Sequence, residues 1–400
     1  MTRNDPDVSL SRPDGGVGVL IEPTTSADLN DLSVFLTRGF GVEADAPFAH
    51  PDVLAWKFLD TTRETGTLGP PRSLLARRGD QSRAIVAHLG ATLSRWRILG
   101  SPDAARANEN LPTTLHMLDW LRDPASPSRS VGVSLMRRIN PLAATQYGLG
   151  GTEIARQVSA RAGYRLVGTA PLWVRVIQPW VVPPTRSWRE RLRQGARAAR
   201  DGLRWARANL GSWFRPRCRL TVEPVNHFSG DLDAWIDAFD WRGWPWCEIG
   251  PDRPPILTTM RNASRFNHAL ACPHVGAHVR ALKLSDGTGL RAVVLTATRT
   301  RRFSGSASLL RQGRIVEVLA DRPDPALWCE AVAAGVEVLK RDQVSRIDAI
   351  GGLPWLDASL SHLGFSQVDA LELHLRDPHA LLPSFNRLHL GPLEADYVVC

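Results

Sequence analysis

The apolar positions change period repeatedly along the chain, and these changes divide it into short elements. Residues 17–21 form an apolar run that predicts a strand. Leu29, Leu32, Leu36 and Phe40 then recur at helical spacing, opened by Thr25-Ser26-Ala27-Asp28 and closed by Gly39 and Gly41. Residues 51–60 predict a second short helix with proline at its start, and residues 72–99 a hairpin turning at Gly79-Asp80-Gln81-Ser82. Leu115, Met117 and Asp119 alternate with His116, Leu118 and Trp120 as a strand requires. The Asp-Pro-Ala-Ser-Pro-Ser run from Asp123 breaks that strand, and Leu135, Met136 and Ile139 return to helical spacing. A strand at 143–149, a helix at 152–162 with Ile154, Val158 and Ala162 on one face, and a strand at 166–177 complete this half.

The second half repeats the order. It predicts a strand at 219–225, a helix at 232–239, a hairpin at 280–298, a strand at 314–319, a helix at 325–340, a strand at 345–350, a helix at 356–363 and a strand at 368–375. Two phrases match in sequence as well as in order. Gly163-Tyr164 precedes LWVRVIQP, and Gly364-Phe365 precedes LELHLRDP, about one half-chain later. A single repeat of that length marks a duplicated domain rather than a solenoid. At 400 residues the chain is also long for one core.

Composition excludes several classes. Hydrophobic content of 43% with charged content of 22% is ordinary for a soluble protein, and 32 Gly with 29 Pro fits many turns. The five cysteines are widely spaced and form no C-x-x-C pair, which argues against a disulfide framework or a thiolate zinc site, so no metal is expected. Residues 1–16 are polar and read as disordered, and no apolar run reaches the roughly eighteen residues of a membrane span. These features predict a cytoplasmic protein of bacterial type. The formal charge of +9 is concentrated: residues 186–219 hold eleven arginines against Glu190 and Asp201.

The strand-loop-helix stretch from Leu115 to Asn140 is the anion-binding shape in this sequence. A small-residue loop feeding a helix directs the unpaired amides of the first turn at whatever lies before it. With the element order and the Ala-Gly-Tyr-to-strand phrase, this stretch resembles the GNAT superfamily of acyl-CoA-dependent N-acyltransferases. In particular it resembles bacterial GNAT-like proteins with a W-K-F/Y-x-x-N/D phrase, here Trp56-Lys57-Phe58-Leu59-Asp60, and a late acid-Asp-Tyr phrase, here Glu394-Ala395-Asp396-Tyr397. The resemblance implies an α/β (α+β mixed) fold of two tandem modules, each a mixed, mostly antiparallel sheet flanked by helices. The expected divisions are 1–16, a first module at 17–180, a linker at 181–218 and a second module at 219–400.

In that family the fourth strand offers backbone groups to the pantetheine arm, and an Arg/Gln-x-x-Gly-x-Gly/Ala loop offers amides to the pyrophosphate. The resemblance places these on Leu121 and Arg122, and on Arg129, Ser130, Val131, Gly132, Val133 and Ser134, with acetyl-CoA or another acyl-CoA as co-substrate. A register one step different aligns Ser130 and Gly132 with the two glycines and leaves Pro127 at the Arg/Gln position.

Attack of an amine on a thioester is helped by a base, an oxyanion donor and an acid for the thiolate. The family's tyrosine acid falls on Ser159 here, so Tyr147 is the candidate substitute acid, beside a core reading. His116 and Asp119 are the candidate bases, on opposite strand faces by alternation, each with a structural reading beside it. The second module departs further. Its loop is Arg322-Pro323-Asp324-Pro325, whose prolines cannot donate amides, and Leu360 takes the tyrosine position. It is expected to shape the acceptor site rather than to bind acyl-CoA, with Glu317 as a solvated strand residue or a cleft group.

Between the modules, Leu192, Ala196, Ala199, Leu203, Ala206 and Leu210 follow helical spacing with arginines on the other faces. This basic amphipathic helix reads as a packed linker, as a peripheral contact with the inner membrane face or a lipid-linked substrate, or more weakly as a nucleic-acid contact, since no base-reading motif accompanies it. The dense indoles of Trp241-Arg242-Gly243-Trp244-Pro245-Trp246 read as seam filling or as a sugar-stacking surface. The functional expectation is an N-acyltransferase acting on a small-molecule or glycan amine. The alternatives are a tRNA-dependent aminoacyltransferase of the peptidoglycan cross-bridge type and a non-catalytic binding protein.

Overall fold

The computed structural model describes residues 18–60, 72–101, 103–126, 130–179, 196, 198–206, 219–247, 256–273, 277–302, 309–385, 387–391 and 393. The expectations for residues 1–16, for Arg129, for most of the arginine segment and for the Glu394–Tyr397 phrase lie outside them. The first half runs β1 (Val19–Pro23), α1 (Leu29–Phe40), α2 (Pro51–Phe58), β2 (Ser73–Arg78), β3 (Ile85–Leu99), α3 (Ala104–Glu109), β4 (Thr113–Arg122), α4 (Val131–Ile139), β5 (Thr145–Leu149), α5 (Glu153–Arg161) and β6 (Arg165–Val176). The second half runs β7 (Thr221–Val225), α6 (Asp231–Asp237), β8 (Ile256–Thr259), α7 (Ala263–Leu270), β9 (Ala277–Asp286), β10 (Gly289–Arg302), β11 (Leu309–Ala320), α8 (Pro325–Arg341), β12 (Arg346–Ile350), α9 (Pro354–His362), β13 (Ser366–Arg376) and β14 (Arg387–His389).

One sheet runs through both halves in the order β1-β2-β3-β4-β5-β13-β6-β12-β11-β10-β9-β7. The parallel pairs β4/β5 and β11/β12 occupy equivalent places in the two halves. The last strand of each half has crossed to the other: β13 lies between β5 and β6, and β6 between β13 and β12. The two matching sequence phrases fall on this pair. Tyr164 and Phe365 are each 4% exposed and donate backbone hydrogen bonds to Ser159 O and Leu360 O. Gly163 and Gly364 precede them at φ of 89° and 81°, the left-handed helix stop that glycine permits.

Alternation assigns the layers of the first half. Leu74, Ala76, Val86 and Leu115 pack against Leu135, Met136 and Ile139 of α4. Leu75, Ile85 and Leu118 face Leu32, Leu36, Leu54 and Phe58 of α1 and α2. Helix α5 differs from expectation. Val158 and Ala162 pack on the core, but Ile154 is 75% exposed, because the apolar contact of the helix with the core lies at its C-terminal end.

Four elements that periodicity did not reveal, α3, β8, α7 and β14, make up most of the seam. β3 pairs with β4 up to Arg95 and from Trp96 onward pairs instead with β8, which β14 extends. The indole of Trp56 stacks on His268 of α7 with centroids 4.6 Å apart and donates to its carbonyl at 2.9 Å. Trp241 fills the seam as one of the sequence readings had it: its N–H meets Gly100 O at 2.9 Å and its indole donates to Asp321 O at 3.0 Å. Gly100, at φ 77°, is required there, since a Cβ would lie 2.5 Å from the Trp241 ring.

Because β13 belongs to the core of both halves, Leu373→Ala is expected to lower the stability of the whole chain by about 2–5 kcal/mol. Leu373 is 2% exposed and packs in one cluster with Trp96 and Tyr147 of the first half. Denaturant unfolding followed by fluorescence and by hydrogen exchange in each half checks this; destabilisation confined to the second half would contradict it.

Candidate active site

β4 and β5 are hydrogen-bonded in parallel only from Thr114 to Met117, after which β4 continues to Arg122 with β3 alone beside it. The two strands therefore part at Leu118. At the same point β4 carries a bulge: Gly90 opposes Leu118, and His88 opposes Leu121, so Asp119 and Trp120 together face Leu89. Asp119 has φ of 50°, the left-handed region that a side chain seldom enters.

The bulge revises the expected alternation. Leu118 faces α1 and α2, as does Asp119, whose carboxylate meets the ammonium of Lys57 from α2 at 2.7 Å. Trp120 then turns to α4 and Leu121 back to α1, where it lies against Gly39. His116 and Asp119 therefore share a face of β4 rather than taking opposite ones.

Both partners of that ion pair are buried, with side chains 0% and 3% exposed. Lys57 also lies 5.4 Å from the Phe58 ring centre and 5.8 Å from that of Phe48. The main chain of Asp119 is held as well. His88 Nδ1 lies 2.8 Å from Asp119 O, His88 Nε2 lies 2.8 Å from Ser73 Oγ, and Ser73 Oγ lies 2.6 Å from Thr24 Oγ1. In the neutral imidazole a carbonyl accepts only from Nδ1–H, so Nε2 accepts from Ser73 and Ser73 accepts from Thr24. Nearby, burial pushes the Cys272 thiol up to about 12 despite the attraction of the Lys57 charge, so the thiol stays protonated.

His116 and Tyr147 meet across the β4/β5 rung next to the last one. Their rings stack at 4.6 Å and 4°, and they are 1% and 0% exposed. They sit at the root of the opening, buried, with the bulge beyond them.

The other expected cofactor residues flank the same opening. α4 begins at Val131 with Ser130 as its exposed cap, and its first intrahelical bond is Ser134 N to Ser130 O at 3.0 Å. The amides of Val131, Gly132 and Val133 thus belong to the first turn and have no partner within the helix. Gly132 is buried, and a Cβ there would lie 3.2 Å from the Trp120 indole, so its smallness also lets α4 approach β4. Ser134 is half-buried inside the helix, and Arg122 donates to Ser126 O at 3.4 Å. Ser159 is half-buried on α5.

The second half repeats this place and fills it. β11 pairs with β12 from Gln312 to Arg314, then bulges at Val316. Glu317, expected as a solvated or cleft group, is 3% exposed and pairs with Arg261 at 2.6 Å and His389 at 3.2 Å. The chain after β14 lies against it: a Cβ on Gly391 would stand 3.4 Å from Val316 O, and Arg265 donates to Leu393 O at 3.3 Å. The helix start has its own anion, since the Asp324 carboxylate accepts from Ala326 N at 2.9 Å above Pro325. Leu360 is wholly buried.

Sequence reasoning passed over Lys57 as a site residue, and likewise His88, Ser73, Arg261 and His389. A signal existed for Lys57, because Val53, Leu54, Trp56 and Phe58 leave so short a helix no polar face. Among the described residues no group of three or more His, Cys, Asp or Glu side chains is gathered for a metal.

The fold has counterparts among solved structures. A GCN5-related N-acetyltransferase from Anabaena variabilis aligns with 90% of this chain and 72% of its own, at 9% identity and a TM-score of 0.51. Saccharomyces cerevisiae N-myristoyltransferase with bound myristoyl-CoA and inhibitors aligns with 90% and 80%, at 12% identity and a TM-score of 0.58. No protein-family model matches the sequence, and neither does any curated protein. The likenesses establish the fold: a mixed sheet flanked by helices of the GNAT type, in a tandem arrangement consistent with that of N-myristoyltransferase.

Asp357 provides a test of the packing beside the filled cleft. Burial raises its pKa, against hydrogen bonds from Gly352 N and the Trp173 indole and attraction to His389 and Arg387. A raised carboxyl pKa favours the protonated folded form, so its contribution is fully present below the unfolded value of about 3.9 and is lost as pH rises through the folded one. Asp357→Asn is expected to melt higher than wild type near neutral pH, with the gap closing towards pH 3. Equal melting temperatures across that range would contradict it.

Proposed function

We propose that the chain is an acyl-CoA-dependent N-acyltransferase with one cofactor site, in the opening between β4 and β5. The observation that carries this reading is the contrast between the halves. The first opening is flanked by a first turn of α4 that, among the described residues, no side chain caps, whereas the second is filled by Gly391 and Leu393 and faces a helix start occupied by Asp324. The pantetheine arm runs along β4 beside Leu121 and Arg122, and the pyrophosphate lies at Ser130 to Ser134. The acceptor amine enters from the side of α2 and the second half.

In the reaction the amine nitrogen attacks the thioester carbonyl, a C–N bond forms and the C–S bond breaks. The proton lost by the ammonium is balanced by the one the leaving CoA thiolate gains. His116 and Tyr147, stacked at the root of the opening, are the proton-handling pair. Asp119 serves through its bond to Lys57 rather than as a free base, because its carboxylate already has a cation at 2.7 Å. A thiol of pKa about 8.5 leaves readily enough that a weak acid suffices. That both solved neighbours are acyl-transferring enzymes, one holding myristoyl-CoA, agrees with this donor.

Thermal stability with acetyl-CoA and longer acyl-CoAs tests the reading. Ligand at about a hundred times its dissociation constant adds roughly 2.7 kcal/mol to the folded state. Ser130→Glu is the control, because Ser130 is exposed and the change sets an anion at the α4 start without touching Trp120. A rise in wild type that vanishes in the variant is expected; no rise with any acyl-CoA removes the reading.

The acceptor is read as a small-molecule or glycan amine held at an anionic membrane surface. Of the stripe that a packed linker would bury, Ala196 and Ala199 are exposed, Leu203 is 74% exposed and Ala206 is half-buried, with Trp205 beside it 36% exposed. Arginines surround it, which suits anionic headgroups. Among the described residues no helix is long and apolar enough to cross a membrane. Co-sedimentation with phosphatidylglycerol vesicles, weakened by salt and by Leu203→Glu with Trp205→Glu, is expected. Equal binding to phosphatidylcholine vesicles, or none to either, argues against surface attachment.

A further inference from the structure

The polar groups around Asp119 are costly for what they contribute to stability. A buried ion pair is often no more stabilising than apolar residues of the same size, yet removing one partner alone is strongly destabilising, because it leaves the other charge buried and uncompensated. Here Lys57, His88, Ser73, Thr24 and Asp119 are all buried, and they come from α2, β3, β2, the turn after β1 and β4. They converge on a single residue and hold both of its ends, the carboxylate by Lys57 at 2.7 Å and the carbonyl by His88 at 2.8 Å. That residue is the one with φ of 50°, two residues past the last rung that joins β4 to β5. Backbone held in such a region persists only where its surroundings over-determine it.

The neighbouring packing is built to admit the network. Phe58 lies edge-on to His88 with centroids 5.6 Å apart, and Gly90 makes room for it, since a Cβ there would stand 2.5 Å from the Phe58 ring. With the His88 imidazole neutral, the hydrogen bonds run one way. Thr24 donates to Ser73, Ser73 to His88, and His88 to the Asp119 carbonyl, which orients the peptide group following Asp119.

We infer that Lys57, His88 and Ser73 are positioning residues, which hold the β4 bulge so that its backbone N–H groups face the thioester carbonyl as charge develops on its oxygen. This rests on the acyl-CoA reading and adds to it the means by which the oxyanion donors are fixed. None of the three touches the substrate. They act through the main chain of Asp119 and Trp120, where a displacement of about 1 Å can cost roughly 10²-fold in rate.

The test uses the full chain and follows CoA release from acetyl-CoA and myristoyl-CoA, to water or to an added amine, beside acyl-CoA affinity from thermal shifts. Lys57→Met with Asp119→Leu removes both charges together, and Ser73→Ala breaks the relay while leaving the ion pair. The expected result is near wild-type melting and acyl-CoA affinity in each, with kcat down roughly 10–100-fold and KM little changed; Ser73→Thr restores most of the rate. Wild-type kcat in a folded double variant overturns the positioning role while leaving the acyl-CoA reading intact. If the double variant does not fold, Ser73→Ala decides in the same way. A wild-type chain that neither binds acyl-CoA nor releases CoA overturns the acyl-CoA reading and the positioning role with it.

Discussion

The pairing of β6 with β13 is the interaction on which the rest of the architecture depends. The two strands are antiparallel from Arg165 to Val174 and from Ser366 to Leu375, and each also pairs with the half it did not come from. β5 is a short strand of five residues with β4 on one side and β13 on the other. The opening between β4 and β5 therefore has its far wall fixed by the second half of the chain. A displacement of β13 would move β5, and with it the Tyr147 ring that stacks on His116.

Duplication with exchanged strands gives two places of the same shape, and the chain treats them differently. Each has a parallel pair that parts, a bulge on the inner strand and a buried ion pair beside it: Lys57 with Asp119 in one, Arg261 with Glu317 in the other. The difference lies in what occupies the gap. In the second half the residues after β14 close it, and Leu393 joins the main core. In the first, α5 buries none of its residues, whereas its counterpart α9 buries Trp355, Leu356, Ser359 and Leu360. The second place is closed by packing, whereas the helix over the first leaves its residues unburied.

The seam between the halves ties these roles together. α2 carries Trp56 on the side of α7 and Lys57 on the side of β4, one residue apart. A short helix thus transmits the packing of the second half to the bulge of the first. The same few residues set the domain interface and the backbone geometry of the site.

The sequence determined the order of most elements, though not α3, β8, α7 and β14, together with the repeat of that order in the two halves and the segment that carries the candidate site. Hydrophobic period is a local property, so α1, α4, α8 and every strand but β8 and β14 could be read from neighbours a few residues away. The small-residue loop feeding α4 and the proline stretch before α8 were legible for the same reason, since loop residues and missing donors act within one turn. The exchange of β6 and β13 was not, because strands that match in sequence and pattern carry no mark of which sheet they join. Nor was the bulge at Asp119: alternation assumes regular pairing, and an extra residue appears only when β3 lies alongside. The partnership of Lys57 with Asp119 spans 62 residues, and that of Glu317 with His389 spans 72. Long-range closure of this kind is decided by packing, in which a buried charge must find its counterion wherever the fold brings one.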